Sequence, residues 1–599
     1  MAIIKMKHMS VVGLARDRDR ILEKLQELGV VHLGPRDPGV QSSENSVHLK
    51  ARAAQLQACL NTLDEFGHKP YELDFADHEL PSVMCELLQE WKLLHEQLFA
   101  TRHEIAVYTP WNDFDPEEIE RLKKINVYVQ LWTVPEKDYD DLEIEEGVCR
   151  KPIQWDKDVL FCTVSYNKPV ALDTPALEVS MPRARLSILT DEAHKAEGRV
   201  NELQDMFCQI GSRKSVIHRA LDEVRTRLAF SEGQEGSYED PVVFGLEGWV
   251  PVPQVEVVSE ALDKSPEPAH MVLRDPAEDE DPPVLAQPPF WARPAMAFFR
   301  MLGVVPGYTE YDITPIFVIA IALFTAMLIG DAGYGLLMTI PLVIFYKKLR
   351  YDKKMDPDAL HMLLILGVSI TIFGLMTMNI FGWTPAEGSP LFKLRILDGD
   401  NDDLMSRICF IIGAVHLTAA HLWKGLRKLR QPLPIKVLAE VGWITVLWGL
   451  YFLVLNLVLG DELKPICVPM VVAGLALIVP FTAPQKNVFK MIALGLADLP
   501  LNILACFSDT ISYIRLMAVG SAGVVMERTF NELALEQNIV FAIPILVAAH
   551  SLVIALGGVA IFAHGVRLNL LEYSGHMDIT WSGRDYEPFC NYTRKENAT

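Results

Sequence analysis

Positive charge is in short supply. Lys and Arg number 55 against 77 Asp and Glu, for a formal net charge of −22. Binding along a phosphate backbone needs a basic face, so no nucleic-acid partner is expected. Cysteine is sparse, nine in all, and no CxxC pair occurs. That excludes a zinc-finger spacing and a disulfide framework. The cysteines read as small buried hydrophobes in a reducing compartment. No Ser/His/Asp set, metal-ligand spacing, paired-carboxylate arrangement or nucleotide-binding motif stands out, so neither a catalytic centre, a cofactor nor a metal is expected. Met1–Gly13 is short and mixed, which argues against a cleavable signal peptide.

What is present divides in two. Half of the residues are apolar and the mean hydropathy is +0.18. Up to about Arg300 the sequence is charged and mixed; after Thr314 it is a series of long apolar runs. A length of 599 residues suggests several domains.

The first part, residues 1–290, reads as a soluble domain with two small α/β lobes and long coiled-coil helices. The first lobe spans 1–45: a strand at Met9–Leu14, an amphipathic helix at Arg16–Leu28, and a strand through Val30, Val31 and Leu33. Two helices within 46–107 follow. One carries a seam of Leu49, Ala53, Leu56, Leu60 and Leu63, the other one of Leu87, Trp91, Leu94, Leu98 and Ile105; steps of four and three give one apolar stripe each. Pro110 ends the second. The other lobe spans 115–262, with strands at Val127–Val134 and Leu160–Tyr166. Inserted in it, 189–228 holds a heptad for about 40 residues with a break only at Lys214, which predicts a helix on the order of 60 Å long. Pro266–Pro289, rich in Pro, Asp and Glu, closes this part, and 291–313 links it onward.

Residues 314–575 read as the membrane part, an α-helical domain of about eight spans: Thr314–Ile329, Gly335–Phe345, Leu360–Phe381, Leu404–Leu422, Val437–Leu459, Val468–Phe481, Leu494–Val525 and Val540–Leu570. The second and sixth are short for a hydrocarbon core of ~30 Å. Loop charges orient the set. Lys347, Lys348, Arg350, Lys353 and Lys354 follow the second span; Lys424, Arg427, Lys428, Arg430 and Lys436 follow the fourth; Lys486 and Lys490 follow the sixth. The alternate loops carry Asp398, Asp400, Asp402 and Asp403, then Asp461 and Glu462, then Glu527 and Glu532. The positive-inside rule therefore predicts that the even-numbered exits, the N-terminal domain and the tail at 576–599 are cytoplasmic.

Within the seventh span, Ser508-Asp509-Thr510-Ile511-Ser512-Tyr513-Ile514-Arg515-Leu516 puts a permanent cation, Arg515, at membrane depth. Ser508 lies seven residues before it, on the same helical face. The eighth span holds His550, His564 and Arg567. His564 and Arg567 share a face; they line a hydrated half-channel, or Arg567 is a snorkelling anchor and His564 a packed core residue. Gly330-Asp331-Ala332-Gly333-Tyr334-Gly335 joins the first two spans. Its glycines predict a tight turn or close helix packing. No GK[ST] follows and no strand precedes, so it is not a phosphate-binding loop.

The ordered set Tyr311-Asp312-Ile313-Thr314-Pro315, Gly330 to Gly335, Ser512 to Leu516, His564-Gly565-Val566-Arg567-Leu568 and Tyr586-Glu587-Pro588-Phe589 resembles the V-type ATPase subunit a family, called subunit I in prokaryotes. Leu28-Gly29-Val30-Val31-His32 and Leu246-Glu247-Gly248-Trp249-Val250-Pro251 fit the same resemblance. It implies a non-catalytic stator subunit of a rotary ATPase or ATP synthase. Two half-channels for proton or sodium would meet at a rotating proteolipid c-ring, separated by Arg515, with Ser508, Ser512, His564 and Arg567 beside it. A ring carboxylate meeting Arg515 would be favoured in its ionised form. The soluble domain would tie E/G-type peripheral-stalk subunits to the membrane, with a C/d-type central-stalk socket as a further partner and lipid around the spans. The compact length resembles the prokaryotic version, which implies the plasma membrane. The eukaryotic family has glutamates where Gly557 and Leu501 stand. Asp498, Asp509 and Glu440 are candidate substitutes, and Glu527 and Glu532 further candidate half-channel residues. A secondary transporter with Arg515 as anion anchor, or a membrane-tethered scaffold, remain the alternatives; no inverted repeat favours the transporter.

Overall fold

The computed structural model describes residues 3–34, 43–67, 69–139, 149–155, 158–170, 172, 176–277, 279–352, 355–385, 389–390, 392, 395–429, 433–482, 484, 487–497 and 499–595. Asp498 lies outside them, as do Lys353, Lys354, Arg430 and Lys486. The chain opens with β1 (Met6–Leu14), α1 (Arg18–Leu28) and β2 (His32–Leu33). Long helices α2 (Glu44–Glu65) and α3 (Leu80–Tyr108) precede α4 (Pro116–Lys124) and the strands β3 (Val127–Pro135), β4 (Cys149–Trp155), β5 (Asp158–Tyr166) and β6 (Leu177–Val179). Then come α5 (Leu186–Gly211), α6 (Lys214–Glu235), β7 (Tyr238–Glu239), β8 (Val243–Pro251), α7 (Val255–Asp263) and β9 (Ala269–Arg274).

One sheet has the order β2-β8-β1-β9, with β7 added to β8; the other is antiparallel in the order β4-β5-β3-β6. Strand β8 was expected in the lobe at 115–262; it pairs instead in the sheet of the opening strand. The chain divides into two compact units, one of Met1–Ser10, Gly248–Ala261 and Met271–Pro588, the other of Val11–Glu247, Leu262–His270 and Phe589–Thr599. Residues 271–290, read from sequence as the end of the soluble part, thus fall with the apolar helices.

In the mixed unit, α3 pairs with α5 and α2 with α6. The seam residues Leu56, Leu60, Leu63, Met84, Leu88, Leu203, Phe207, Ile210, Ile217 and Leu221 form one buried cluster. Ion pairs flank it: Arg199 reaches Glu90 at 2.7 Å, Arg102 reaches Glu197 at 2.7 Å, and Lys50 reaches Glu232 at 2.7 Å. The single helix expected over 189–228 is two helices. Ser212 Oγ donates to the Gln209 carbonyl at 2.7 Å, which takes that acceptor from the helical ladder just before the expected break at Lys214.

The other unit is helical: α8 (Ala295–Leu302), α9 (Thr314–Ile329), α10 (Ala332–Lys347), α11 (Pro357–Thr377), α12 (Asp402–Leu429), α13 (Val437–Leu459), α14 (Cys467–Phe481), α15 (Val488–Ala497), α16 (Leu499–Ser512), α17 (Ile514–Leu535) and α18 (Ile539–Ala560). Two π-helical turns, Ile561–Val566 and Leu568–Tyr573, continue α18. Among the described residues, five helical stretches are long and apolar enough to cross a membrane: Pro357–Thr377, Asp402–Leu429, Pro434–Leu459, Phe489–Leu535 and Ile539–His576. Thr314–Ile329 and Cys467–Phe481 are shorter apolar helices, and α10 has 16 residues. At ~1.5 Å per residue each of these reaches about 24 Å, short of a ~30 Å core. The seventh expected span is not one helix either, since α16 and α17 meet at a turn on Tyr513.

Small residues bring the helices together. Gly330 ends α9 in the left-handed conformation, at φ 64°. Asp331 caps α10, its Oδ1 accepting from Tyr334 N at 3.1 Å. A Cβ on Gly374 would run into the backbone of Asp331 and Ala332, and one on Gly335 into Thr371. Backbones of α10 and α11 therefore touch, as small residues allow in apolar surroundings. Gly558 meets nothing within 4 Å. Gly374→Ala is expected to lower the thermal midpoint of the detergent-solubilised chain, at an overpacking cost of about 1–3 kcal/mol. Gly558→Ala should leave it unchanged or raise it slightly. Equal midpoints for the two variants would refute the close approach.

Candidate functional site

Arg515 stands at the start of α17, two residues past the turn at Tyr513. Its side chain is 24% exposed. Its Nε donates to the Ser512 carbonyl at 3.0 Å and its Nη2 to Glu572 Oε1 at 2.8 Å. Glu572, in the second π-helical turn, is 4% exposed, and the same oxygen lies 3.5 Å from Arg567 Nε. The mid-span cation is thus paired, by a carboxylate that the sequence reading did not single out.

Aromatic packing fixes both partners of this pair. Tyr513 is fully buried and its hydroxyl lies 2.8 Å from His416 Nδ1. His416 stacks on Tyr573, centroids 4.4 Å apart and planes within 13°. Gly413 leaves room for the Tyr513 ring, which a Cβ there would strike. One histidine on α12 therefore holds the residue two before Arg515 and the residue after Glu572.

A hydrogen-bonded row of side chains leads away from the turn. Glu440 Oε2 lies 2.7 Å from His421 Nδ1, His421 Nε2 lies 3.0 Å from His576 Nδ1, and His576 Nε2 lies 3.2 Å from Asp509 Oδ2. Glu440 and His421 are buried; Asp509 on α16 keeps 28% side-chain exposure. Lys428 meets the other oxygen of Glu440 at 2.5 Å and Lys424 stands 3.8 Å from it. His421, Lys424 and Lys428 lie three and four apart on α12, so one helical face addresses one carboxylate on α13. Asp509 and Glu440, both proposed from sequence, are joined through two histidines.

A second polar cluster gathers around Glu527 on α17. Glu527 and Asp331 are buried at 1% and 0% exposure. Asn379 Nδ2 donates to Glu527 Oε2 at 3.4 Å, and Gly382 N, at φ 75°, to Asp331 Oδ2 at 3.0 Å. Tyr334 OH is 2.6 Å from His550 Nδ1, whose Nε2 is 3.2 Å from Asn531 Oδ1. Glu527 Oε1 has no hydrogen-bond partner among the described residues. A cavity of about 140 Å³, lined by Val519, Gly523, Met526, Val553 and Gly557, opens onto it. Asp331 and Glu527 thus belong to one cluster, although the sequence suggested a turn for the first and a loop charge or half-channel residue for the second.

The remaining expected residues are less engaged. Ser512 Oγ donates to the Ser508 carbonyl at 2.9 Å, and Ser508 is exposed. His564 is half-buried in the first π-helical turn, with Nδ1 unpartnered among the described residues. Arg567 is 53% exposed. Glu532 is exposed and joins neither cluster.

The helical unit thus holds a guanidinium–carboxylate pair and two buried polar clusters among helices apolar enough to cross a membrane. No family model matches the chain. It is similar to V-type ATP synthase subunit I proteins over nearly its whole length and to an A-type one, of Pyrococcus horikoshii, over 68% of it. It is 29% identical to V-type ATP synthase subunit I of Borreliella burgdorferi, covering 98% of this chain and 99% of that one. It is 26% identical to V-type ATP synthase subunit I 1 of Treponema pallidum, again over 98% and 99%. The crystallised cytoplasmic N-terminal domain of subunit I, homolog of subunit a, of V-ATPase matches 45% of this chain and 100% of its own, at 16% identity and a TM-score of 0.21.

Removing Glu572 strands a guanidinium among apolar helices. Glu572→Ala is expected to cost about 3–5 kcal/mol, toward the low end because Arg515 keeps some exposure. The check is the thermal midpoint in detergent, and a midpoint equal to that of the unchanged chain would show that the pair contributes nothing.

Proposed function

We propose that this chain is the static, non-catalytic subunit of a rotary ATPase that passes protons between a membrane half-channel on either side of Arg515 and a rotating proteolipid ring. The observation that carries this reading is the arrangement of the ion pair Arg515–Glu572 with a separate polar cluster at Glu440 and another at Glu527. The homologues named subunit I support the rotary complex.

The row Glu440–His421–His576–Asp509 suits a proton. With Glu440 protonated, each imidazole carries its proton on Nε2, and His576 donates to the Asp509 carboxylate. A concerted shift moves the Glu440 proton to His421 Nδ1, the His421 Nε2 proton to His576 Nδ1, and the His576 Nε2 proton to Asp509. One proton has then crossed from Glu440 to Asp509, and both imidazoles are again neutral. Hydrogen-bond lengths of 2.7–3.2 Å are within transfer reach. Sodium gains nothing from such a row, because it needs a cage of oxygens rather than alternating N–H donors.

On this reading the Glu440 row opens toward the cytoplasm, where the loop cations lie, and the Glu527 cluster toward the opposite face. Arg515 stands between them and repels an ion that would bypass the ring. The mixed unit is cytoplasmic and binds E/G-type peripheral stalks; a C/d-type socket and the c-ring complete the partners. The C-terminal segment is cytoplasmic as well, and the membrane is a prokaryotic plasma membrane.

The test is ATP-driven uptake into vesicles that hold the reconstituted complex, at matched assembly. Arg515→Ala should abolish uptake while the ATPase head stays active. Arg515→Lys should not rescue it, since the shorter reach and lost planar fork cannot hold Glu572 in the same way. His421→Ala should reduce uptake by about 10- to 100-fold, as loss of a proton-transfer group does. His564→Ala should be mild, because water can replace one lining group. Near-normal uptake by Arg515→Ala would sink the mechanism; uptake that follows added sodium and ignores a proton gradient would sink the choice of ion.

A further inference from the structure

Two cysteines of the mixed unit meet. Cys59 on α2 and Cys85 on α3 face each other inside the seam cluster, with their sulfurs 3.4 Å apart. Leu56, Leu60 and Leu63 flank the first; Met84 and Leu88 flank the second. Leucine would bury more apolar area at either position, so packing alone does not call for two thiols in contact. Closing that gap to a sulfur–sulfur bond of ~2.05 Å takes about 1.4 Å of approach, within the reach of side-chain rotation.

The surroundings divide the pair into unequal partners. Arg52, seven residues before Cys59 and on the same face of α2, donates from Nη2 to Ser82 Oγ at 3.0 Å. Ser82 stands three residues before Cys85, so a guanidinium bridges the two helices beside the thiols. The Cys59 thiol donates to the Cys85 sulfur. That bond above all, with help from Arg52, brings the Cys85 pKa down to about 7, against burial and against Glu86. The same bond, with burial, pushes the Cys59 thiol up. One sulfur is thereby a nucleophile near neutrality, and the other keeps its proton. Cys85 also retains 7% exposure where Cys59 has none, a narrow opening that suits an oxidant little larger than water.

We infer that Cys59 and Cys85 are a reversible dithiol–disulfide site, oxidised by a hydroperoxide, that braces the α2–α3 hairpin. The Cys85 thiolate attacks one oxygen of hydrogen peroxide. The O–O bond breaks, hydroxide leaves and takes up the proton that Cys85 had released, and the sulfur becomes a sulfenic acid. Cys59 then attacks the Cys85 sulfur; the S–O bond breaks, and the hydroxyl leaves as water with the Cys59 proton. Two thiols have lost two electrons, one peroxide has become two waters, and one S–S bond remains. A small thiol reverses the bond by exchange and leaves as its own disulfide. In a reducing compartment such a bond is transient and forms under oxidant.

The bond would close the connection 66–79 into a loop. That connection is already fastened to the turn between α5 and α6: Glu72 N donates to Gln209 Oε1 at 3.1 Å, and Arg213 pairs with Asp77 at 2.7 Å. Cross-linking α2 to α3 removes freedom from the opened hairpin, so the end of the bundle that holds both connections opens less often.

The experiment treats the full chain in detergent with hydrogen peroxide, blocks remaining thiols with N-ethylmaleimide, and digests with trypsin and a glutamate-specific protease. Cleavage after Glu65, Glu72 or Glu79 separates the two cysteines. Mass spectrometry without reductant should find the Cys59 and Cys85 peptides joined, and joined no longer after dithiothreitol. Cys59→Ser should leave Cys85 as a sulfenic acid that dimedone captures; Cys85→Ser should leave Cys59 unoxidised. Cys208→Ser should change nothing. In the oxidised wild type, amide exchange across 66–79 should slow by about 10-fold. Free thiols at Cys59 and Cys85 once the half-buried Cys162 and Cys208 have been oxidised would overturn the couple. Sulfenic acid on Cys59 in Cys85→Ser, with none on Cys85 in Cys59→Ser, would overturn the assignment of the nucleophile. An exchange rate that oxidation leaves unchanged would overturn the brace.

Discussion

Arg515 cannot shed its charge. A guanidinium held among apolar helices must find a counter-charge or a wet surface, and the rest of the helical unit is arranged around that requirement. Glu572 supplies the counter-charge at 2.8 Å and is itself buried. Two charges removed from water gain little net stability, because desolvation offsets their attraction. Their stricter effect is on geometry. The pair persists only while α17 and the π-helical turns keep their distance, and the Tyr513–His416–Tyr573 stack holds that distance. The π-helical turns matter here: irregular helix marks places where a side chain is re-aimed, often at functional sites.

Close backbone packing is the second constraint, and it follows from the first. Buried polar groups need complete partner sets, and short side chains such as Asp and Asn reach them only where backbones approach. Gly374, Gly335 and Gly330 bring α9, α10 and α11 together, so that Asp331 accepts from two backbone amides and Asn379 reaches Glu527. Gly330 also ends α9, at 16 residues.

Legibility in the sequence tracked the range of the interaction. Arg515 was visible because one permanent charge in a long apolar run needs no partner to be noticed. The heptads of α2, α3, α5 and α6 were visible because their period is local. The turn between α5 and α6 was not, since it depends on a serine competing for one carbonyl; Gly211-Ser212 was the available cue. Glu440, Asp509 and Glu527 stood out as candidate half-channel carboxylates, but not their partners. What joins Glu440 to Asp509, His421 and His576, is spread over α12 and a segment 155 positions later. Glu572 stands 57 positions from Arg515, beyond any periodicity. The one local sign was on α12: His421, Lys424 and Lys428 share a face, and such a face inside an apolar helix needs an acidic partner.

The two polar clusters differ in a way that bears on direction. Around Glu440 two lysines and a histidine stand within contact, so its negative charge, when the proton has left, is compensated on this chain. Around Glu527 the neighbours are neutral or acidic: Asn379 donates weakly at 3.4 Å, and the nearby Arg528 is spent on Asp400 at 2.7 Å. A charge at Glu440 is therefore held with little field left over, whereas a charge at Glu527 acts on whatever enters the cavity beside it. Coulomb interaction in such low-dielectric surroundings is strong over several ångströms. If the two clusters are the two half-channels, they are unequal by construction. On that reading the row at Glu440 would conduct by handing protons along fixed donors, and the cluster at Glu527 by presenting a single carboxyl to an incoming site. Rotation past Arg515 would then join a wire to a port, with the Arg515–Glu572 ion pair as the wall between them.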